Sequence, residues 1–269
     1  GNLLGVPHQD RGPLRAWSLA ILGALEPVVT PAQHALGNQS VSEMLVYLRA
    51  LVAHRRQHPG DPEHDVLTRL IQGEVDGEKL SEVELLQNCI FLLNAGHETT
   101  TNLIGNGLIL LEEFPAAKAG LLTDLQATAS DAAAQEQVLT LAVDECLRFE
   151  SSNQLGNRRA LKATTVGGVD LPEGAEILMI TGSANRDEAQ FPDGEKLDLT
   201  RTNARTHLSF GYGIHFCLGQ QLSKMEFAIA MKELARRLPS LRLAPDQDFA
   251  FAHNTSFRIP TALHIEWDL

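Results

Sequence analysis

The residues best suited to chemistry lie in a glycine-rich segment, residues 210–219, which reads FGYGIHFCLG. Gly211 and Gly213 allow backbone conformations that other residues resist. Cys217 comes directly before a predicted helix, where unpaired N–H groups and the positive end of the helix dipole favour a negatively charged sulfur. A thiolate in that position suits metal ligation. No CxxC, HxH or HExxH pattern lies nearby, so we do not expect a zinc site made of protein ligands alone.

A single cysteine thiolate in a glycine-rich surround fits haem iron, because the porphyrin supplies most of the other ligands. The remaining cysteines, Cys89 and Cys146, lie among apolar residues of predicted helices, and we interpret both as core residues. Three cysteines are too few for a disulfide scaffold, which favours a reducing compartment.

A second polar cluster, residues 95–99 with the sequence AGHET, interrupts an otherwise apolar predicted helix. Buried polar groups are costly without partners, so an acid beside an alcohol indicates a function there. Glu98 and Thr99 are suited to a proton relay. Gly96 is expected to let the helix open locally, and we interpret His97 as structural.

A third pattern is a Glu–Arg pair, Glu145 and Arg148. Residues three apart share one face of a helix. A buried pair of this kind needs further hydrogen-bonding partners to offset the loss of hydration. By itself this spacing is common in exposed helix pairs and indicates no particular role.

Two helices are predicted to carry the second and third patterns. Ser81 and Glu84 form a capping-box pattern, and the helix that they open is expected to cover about residues 81–113. Its apolar middle is typical of a helix that crosses a protein interior. The Glu–Arg helix is expected over about 137–149. A helix is also predicted over 10–25, with Pro27 and Pro31 as breakers after it, and a further helix is predicted over 40–58.

The whole pattern predicts a mainly α chain with a small β part, arranged as a single domain of residues 1–269. Residues 1–150 read as mostly helical, and 151–209 as a β-hairpin followed by an irregular meander. Residues 210–238 hold the cysteine loop and its following helix. The sequence contains no run of eighteen apolar residues, so no membrane span is predicted.

These motifs, in this order, resemble those of cytochrome P450. Residues 210–219 match the haem-ligand pattern F-x-x-G-x-H/R-x-C-x-G at every fixed position. Residues 95–99 match the oxygen-activation pattern A/G-G-x-D/E-T, and 145–148 match E-x-x-R. The resemblance extends along the whole chain. It implies the cytochrome P450 fold, haem b (iron protoporphyrin IX) as cofactor, and Cys217 as the axial ligand of the iron.

The resemblance also implies roles for individual residues. Glu98 and Thr99 would manage protons, and Arg158 and His215 would bind the haem propionates. Arg201, or Lys196 as the alternative, would complete the network of Glu145 and Arg148, which would hold the scaffold of the cysteine loop. The residues expected to contact haem are Phe210, Gly211, Gly219, Ala95, Gly96, Arg158 and His215. Candidates for the substrate pocket, from topology alone, are Leu92, Leu93, Gln154, Leu155 and Thr255, with loop capping an equally good explanation for the polar ones.

The expected activity is that of a bacterial-type haem-thiolate monooxygenase, which inserts one oxygen atom from O2 into a small organic substrate. The resemblance implies a ferredoxin, a flavodoxin or a fused reductase as electron donor. Two alternatives stay open: a peroxide-driven haem-thiolate peroxygenase, and a non-catalytic haem-binding or apo fragment. The Glu98–Thr99 pair argues against the first, because dedicated peroxygenases of the family lack it.

Length and charge complete the analysis. The chain has 269 residues with a formal net charge of −12, which argues against nucleic acid and anionic membranes as partners and fits a cytoplasmic protein. For a cytochrome P450 it is short, and roughly the N-terminal third of the fold is expected to be missing. A longer chain recorded in part, a proteolysed or engineered core, and a natural short form are the three explanations. The absent initiating Met favours the first two.

Overall fold

The computed structural model describes residues 1–26, 28–73 and 77–268. Their contacts divide the chain into two compact units, Gly1–Glu98 and Thr99–Leu269. The boundary falls inside one long helix, α4, which covers Glu82–Glu113. The single domain expected for residues 1–269 therefore stays a prediction.

The first unit is helical. Its helices are α1 (Leu14–Gly23), α2 (Pro31–Gln57), α3 (Val66–Gln72) and the first half of α4. Helix α2 begins with Pro31 at its first position, where the missing N–H costs nothing, and Thr30 forms a capping box with Gln33. Its apolar face buries Met44, Leu48 and Val52 against neighbours that include Leu67 and Cys89. The same core holds one face of α4 in place.

The second unit holds the remaining elements. Its other helices are α5 (Pro115–Ala127), α6 (Ala132–Phe149), α7 (Thr181–Ala184) and α8 (Gln220–Arg237). Its strands are β1 (Leu155–Arg159), β2 (Thr164–Val166), β3 (Val169–Leu171), β4 (Glu176–Ile180), β5 (Arg242–Leu243) and β6 (Ile265–Glu266). They pair antiparallel as β1–β4, β2–β3 and β5–β6. The mainly α fold with a small β part is confirmed.

The core of the second unit lies between α4, α5, α6 and α8. Leu103, Val143, Leu147 and Phe227 are almost fully buried in it. Helix α6 is the central element, and a continuous run from Ala142 to Phe149 is buried. A helix buried on all sides must place any polar residue of that run in the interior, so Glu145 and Arg148 need partners there. Among the described residues, no helix is long and apolar enough to cross a membrane.

Candidate functional site

The cysteine loop is a closed backbone turn. Gly211 and Gly213 have φ values of 74° and 76°, in the left-handed region that favours glycine. The N–H of Phe216 donates to the carbonyl of Gly213 at 3.0 Å, and the N–H of Cys217 donates to the carbonyl of Phe210 at 2.9 Å. Backbone hydrogen bonds of the turn thereby fix the position of Cys217, three residues before α8 begins.

Exposed apolar side chains surround the Cys217 thiol, which is itself exposed. Ile214 is 97% exposed and Leu218 is 88% exposed, and Phe216 and Tyr212 are exposed beside them. Apolar surface of this extent indicates a site for an apolar ligand or partner. A β-carbon built on Gly219 would lie 4.0 Å from the Cys217 sulfur, so the glycine keeps that side of the thiol open. A thiol ligand in an apolar, uncrowded setting fits the flat macrocycle of haem.

The residues expected to bind the haem propionates are also exposed. Arg158 lies on β1 and His215 lies in a 3-10 turn, Gly213–His215. Both side chains face solvent, and neither makes an ion pair with any described residue. They fit the expected role with haem propionates, which remains a prediction. Among the described residues, no three His, Cys, Asp or Glu side chains are grouped as a metal cluster would require.

The Glu–Arg pair is the centre of a fully buried network. Both Glu145 and Arg148 have side chains with no exposure, and Arg148 Nε and Nη2 donate to the two Glu145 oxygens at 2.7 and 2.8 Å. Arg148 also donates to the backbone carbonyls of Asn185, Gly194 and Lys196. These bonds offset the loss of hydration of the buried charges.

The structure brings Arg201 into this network. Arg201 Nε lies 3.3 Å from Glu145 Oε1, and its other nitrogens donate to the carbonyls of Pro192, Asp193 and Lys196. The Lys196 side chain instead pairs with Asp193 at 3.2 Å. One acid on α6 and two arginines thus fasten the irregular segment 185–201 to the helix.

A second set of contacts fastens the start of the cysteine loop. The Asn185 side chain accepts from the N–H of Leu208 at 2.7 Å and donates to the Ser209 hydroxyl at 2.9 Å. Ser209 in turn donates to the carbonyl of Leu147 on α6 at 2.7 Å. The Asn185 carbonyl also accepts a hydrogen bond from Arg148. Asn185 therefore connects the Glu–Arg network to the start of the cysteine loop.

Three residues form a buried charge cluster: Asp144, His207 and Lys224. The cluster joins α6, the segment just before the cysteine loop, and α8. Lys224 Nζ lies 2.6 Å from Asp144 Oδ1, and His207 Nε2 lies 3.7 Å from the same oxygen. Burial alone would raise the pKa of Asp144, but the contacts to His207 and Lys224 outweigh burial and lower it. Sequence reasoning missed this cluster. The only signal was an acid directly before Glu145, in a helix segment that is otherwise buried.

In the first unit, Glu98 is a buried carboxylate, only 2% exposed. His97 Nδ1 lies 2.9 Å from Glu98 Oε1, and Arg15 Nε lies 3.9 Å from the same oxygen. On the other side of α4, Ala95 and Gly96 are exposed, and a β-carbon on Gly96 would meet nothing within 4 Å. The expected local opening of the helix at Gly96 is wrong for this structure, because α4 runs through it as an unbroken α-helix.

Thr99 is the first residue of the second unit. It is half-buried, and its backbone carbonyl accepts a hydrogen bond from the Ser152 hydroxyl at 2.8 Å. The next residue, Thr100, is buried with its hydroxyl 3.4 Å from that of Ser223 on α8. The threonine end of the motif is therefore anchored by polar contacts to two other elements of its unit.

Two of the pocket candidates contact the core of the first unit, and their role in the pocket stays a prediction. Leu92 and Leu93 pack against the apolar core of the first unit. The exposed apolar side chain of that turn is Phe91, at 63%. An i, i+4 spacing puts Phe91 and Ala95 on the same exposed face of α4, so periodicity could have selected Phe91.

The remaining pocket candidates lie together in the second unit. The N–H of Gln154 donates to the carbonyl of Ser256 at 2.8 Å, which places the late loop with Thr255 beside the segment before β1. The Gln154 amide folds back to donate to the carbonyl of Ser151, and Leu155 is half-buried opposite Ile180. Thr255 is exposed. A separate cavity of about 300 Å³ between α5, α6 and residues 197–200 contains none of the predicted site residues.

Comparison with known proteins gives consistent results. The cytochrome P450 family profile matches residues 25–259. The chain is 34% identical to the biotin biosynthesis cytochrome P450 of Bacillus subtilis over 258 residues, which cover 95% of this chain and 60% of that protein. It is 38% identical to 6-deoxyerythronolide B hydroxylase of Saccharopolyspora erythraea, covering 92% of this chain and 56% of the hydroxylase.

Among solved structures, P450BioI in complex with hexadec-9Z-enoic acid ligated acyl carrier protein superposes with a TM-score of 0.89 at 32% identity. The match covers 99% of this chain and 64% of that one. The chain thus spans less than two thirds of the length of each of these proteins. Members of the family bind haem b, which agrees with the thiol and the apolar surface around Cys217. Sequence motifs, fold and relatives agree that this chain belongs to the cytochrome P450 family.

Proposed function

We propose that this chain is the haem-binding and oxygen-activating part of a monooxygenase, with Cys217 as the axial ligand. One observation carries the proposal. The exposed Cys217 thiol lies in a turn closed by backbone hydrogen bonds and surrounded by exposed apolar side chains. When bound there, haem supplies the iron chemistry by which one atom of O2 is inserted into an organic substrate.

The chain's own residues would hold the haem and move protons. Arg158 and His215 would donate hydrogen bonds to the propionates. The Glu98 carboxyl, buried at 2% exposure, can hold one proton. The hydroxyl of Thr99, the next residue of α4, can both accept and donate, so it can pass a proton on. Gln154 and Thr255 are the candidates for polar contacts with substrate.

The electron donor and the substrate belong to the same proposal. Bacterial members of the family use ferredoxin-type partners, which supports a ferredoxin, a flavodoxin or a fused reductase here. The named relatives act in different pathways, so we propose only a small organic substrate. The acidic composition supports a cytoplasmic location.

The decisive experiment is the difference spectrum of the reduced protein with carbon monoxide. We expect a thiolate-type Soret band in the wild type and in Cys89→Ala, which removes a buried sulfur from the core of the first unit. We expect the band to be absent in Cys217→Ala. A band that persists in Cys217→Ala, or a chain that takes up no haem, would contradict the proposal.

A second experiment tests the proton relay. Thr99→Ala should increase the share of consumed oxygen that is released as peroxide, because the hydroxyl that passes protons is gone. Thr123→Ala is the matched control, since the Thr123 hydroxyl only donates to the carbonyl of Ala119 within α5. Equal peroxide release in wild type and Thr99→Ala would exclude the relay. Turnover with peroxide alone, at the rate of the reductase-driven reaction, would favour the peroxygenase alternative.

A further inference from the structure

We propose that His97 delivers protons to Glu98, so that a partly exposed imidazole reloads the buried carboxylate during turnover. The inference rests on the proposed function, because it adds a step before the Glu98–Thr99 relay. The sequence alone led us to interpret His97 as a structural residue, and the proposed proton delivery replaces that interpretation.

The contact between the two side chains is the first argument. His97 Nδ1 lies 2.9 Å from Glu98 Oε1, and the side chains are 41% and 3% exposed. Consecutive residues of a helix do not normally face each other, so this hydrogen bond is not a consequence of helical spacing. It connects a carboxylate inside the protein to a titratable ring that reaches solvent.

The other charged neighbour of Glu98 is the second argument. Arg15 on α1 lies 3.9 Å from Glu98 Oε1 and its side chain is 66% exposed. A guanidinium does not release its proton in proteins. Of the two ion-pair partners that the described residues offer to Glu98, only His97 can therefore deliver a proton.

The proton balance of the step is simple. In the loading state, the His97 Nδ1–H donates to the ionised Glu98 carboxylate. A proton from water binds Nε2 while the Nδ1 proton passes to Glu98, which leaves a neutral carboxyl and a neutral imidazole protonated on Nε2. Proton exchange with solvent returns the hydrogen to Nδ1 after Glu98 has passed its own proton on. No oxidant or further reactant is needed.

A structural role and a relay role of His97 predict different outcomes when His97 is replaced by glutamine. Glutamine keeps a hydrogen-bond donor near Glu98 but cannot take up and release a proton. His97→Gln would then preserve a structural contact and abolish a relay. His64 supplies a matched control, because it also lies 2.8 Å from a carboxylate, that of Asp61, but both side chains of that pair are exposed.

The kinetic test uses the haem-loaded full chain with NADH, a surrogate ferredoxin and its reductase, and measures oxygen consumed and peroxide released. We expect His97→Gln to slow oxygen consumption at least about threefold, less than the 10²- to 10⁴-fold effect of a catalytic acid, because water replaces part of the delivery. The ratio of rates in H2O and D2O should increase. His64→Gln should match the wild type in every quantity. Equal rates and isotope ratios in His97→Gln and wild type would overturn the inference.

Glu98→Gln separates this inference from the proposed function. No effect of Glu98→Gln would refute the relay itself, whereas a slow Glu98→Gln with an unchanged His97→Gln would refute only the role of His97. A second readout does not depend on turnover. In NMR spectra of the reduced, carbon monoxide-bound chain labelled with 15N-histidine, the His97 ring signals should shift in Glu98→Gln and stay in place in Asp61→Asn. Unshifted His97 signals in Glu98→Gln would show that the contact is absent and would overturn the inference.

Discussion

Burial divides the three cysteines into two chemical classes. Burial raises the pKa of the Cys89 thiol to about 11, and burial together with the neighbouring Glu145 charge raises that of Cys146 to about 12. Cys217 is exposed. Since the thiolate is the reactive form, we expect iodoacetamide at pH 8 to modify Cys217 alone in the folded, haem-free chain. Intact mass would show one adduct when folded and three in denaturant. Modification of Cys146 at a comparable rate would contradict the buried network around it.

At the same scale, sequence reasoning reached the residues that motifs specify and stopped there. The family pattern selected Glu145, Arg148 and Arg201, and the structure brings Arg201 to Glu145. No spacing rule could select Asp144, His207 and Lys224, because they come from three segments that meet only through tertiary packing. Helical periodicity did not distinguish core contacts from pocket contacts within one turn of α4, where Leu92 and Leu93 pack against the core of the first unit.

Helix α6 supports the cysteine loop through its buried Glu–Arg pair. Glu145 accepts from Arg148, from Arg201 and from the N–H of Asp198. Glu145→Gln removes the charge that compensates two arginines, and breaking a buried pair in this way costs about 3–5 kcal/mol. We expect that loss in the free energy of unfolding, measured by urea denaturation.

The chain contains a matched control for this substitution. Glu233 and Arg236 have the same i, i+3 spacing on α8, with a nitrogen–oxygen distance of 2.7 Å, but the pair is on the surface. Exposed ion pairs contribute little to stability, so Glu233→Gln should leave the urea midpoint almost unchanged. If Glu145→Gln and Glu233→Gln lowered the free energy of unfolding by similar amounts, burial would not explain the contribution of the Glu145–Arg148 pair.

The Asp144 cluster predicts a pH dependence of stability. Its contacts to His207 and Lys224 outweigh burial, so the pKa of Asp144 is lower in the folded chain than in the unfolded chain. A depressed pKa contributes stability above the unfolded value, near 3.8, and that contribution is lost as the pH falls through the folded value. Asp144→Asn should therefore cost about 1.5–3 kcal/mol at pH 7, the usual range for a hydrogen bond to a charged group.

The difference between wild type and Asp144→Asn is the quantity to follow. The urea midpoints of the two proteins should converge as the pH is lowered from 7 through the folded-state pKa of Asp144, which lies below 3.8, because the Asp144 carboxyl then becomes neutral in the folded chain as well as in the unfolded chain. A difference that is constant across this range would show that the carboxylate charge contributes nothing and that only the shape of the side chain matters.

Helix ends were predictable where their caps are local. The capping box of Ser81 and Glu84 is present, with Ser81 N–H donating to Glu84 at 2.9 Å, and α4 begins at Glu82 as expected. Helix α2 begins at Pro31, before the expected residue 40, because proline is suited to the first position of a helix. Helix α6 begins before the expected residue 137 because Asp131 caps it through Ala133 and Ala134. The β5–β6 pair joins Arg242 to Glu266, a register that no local signal specifies.

For the whole molecule, three short motifs were enough to predict the family. Comparison confirms the assignment over residues 25–259, most of which carry no motif. The motifs were sufficient because haem-thiolate chemistry constrains a few residue types at fixed spacings, whereas the supporting contacts depend on which segments meet in space.

Haem binding should stabilise the whole chain by mass action, because the unfolded chain offers no preformed site. A ligand that binds only the folded state adds RT ln(1 + [L]/Kd), which is about 2.7 kcal/mol at a free concentration 100 times Kd. We expect that increment in urea unfolding of the wild type and of Cys89→Ala. In Cys217→Ala the increment should be smaller, because only the apolar contacts of residues such as Ile214 and Leu218 would then bind the haem. Equal increments in wild type and Cys217→Ala would place the haem elsewhere in the chain.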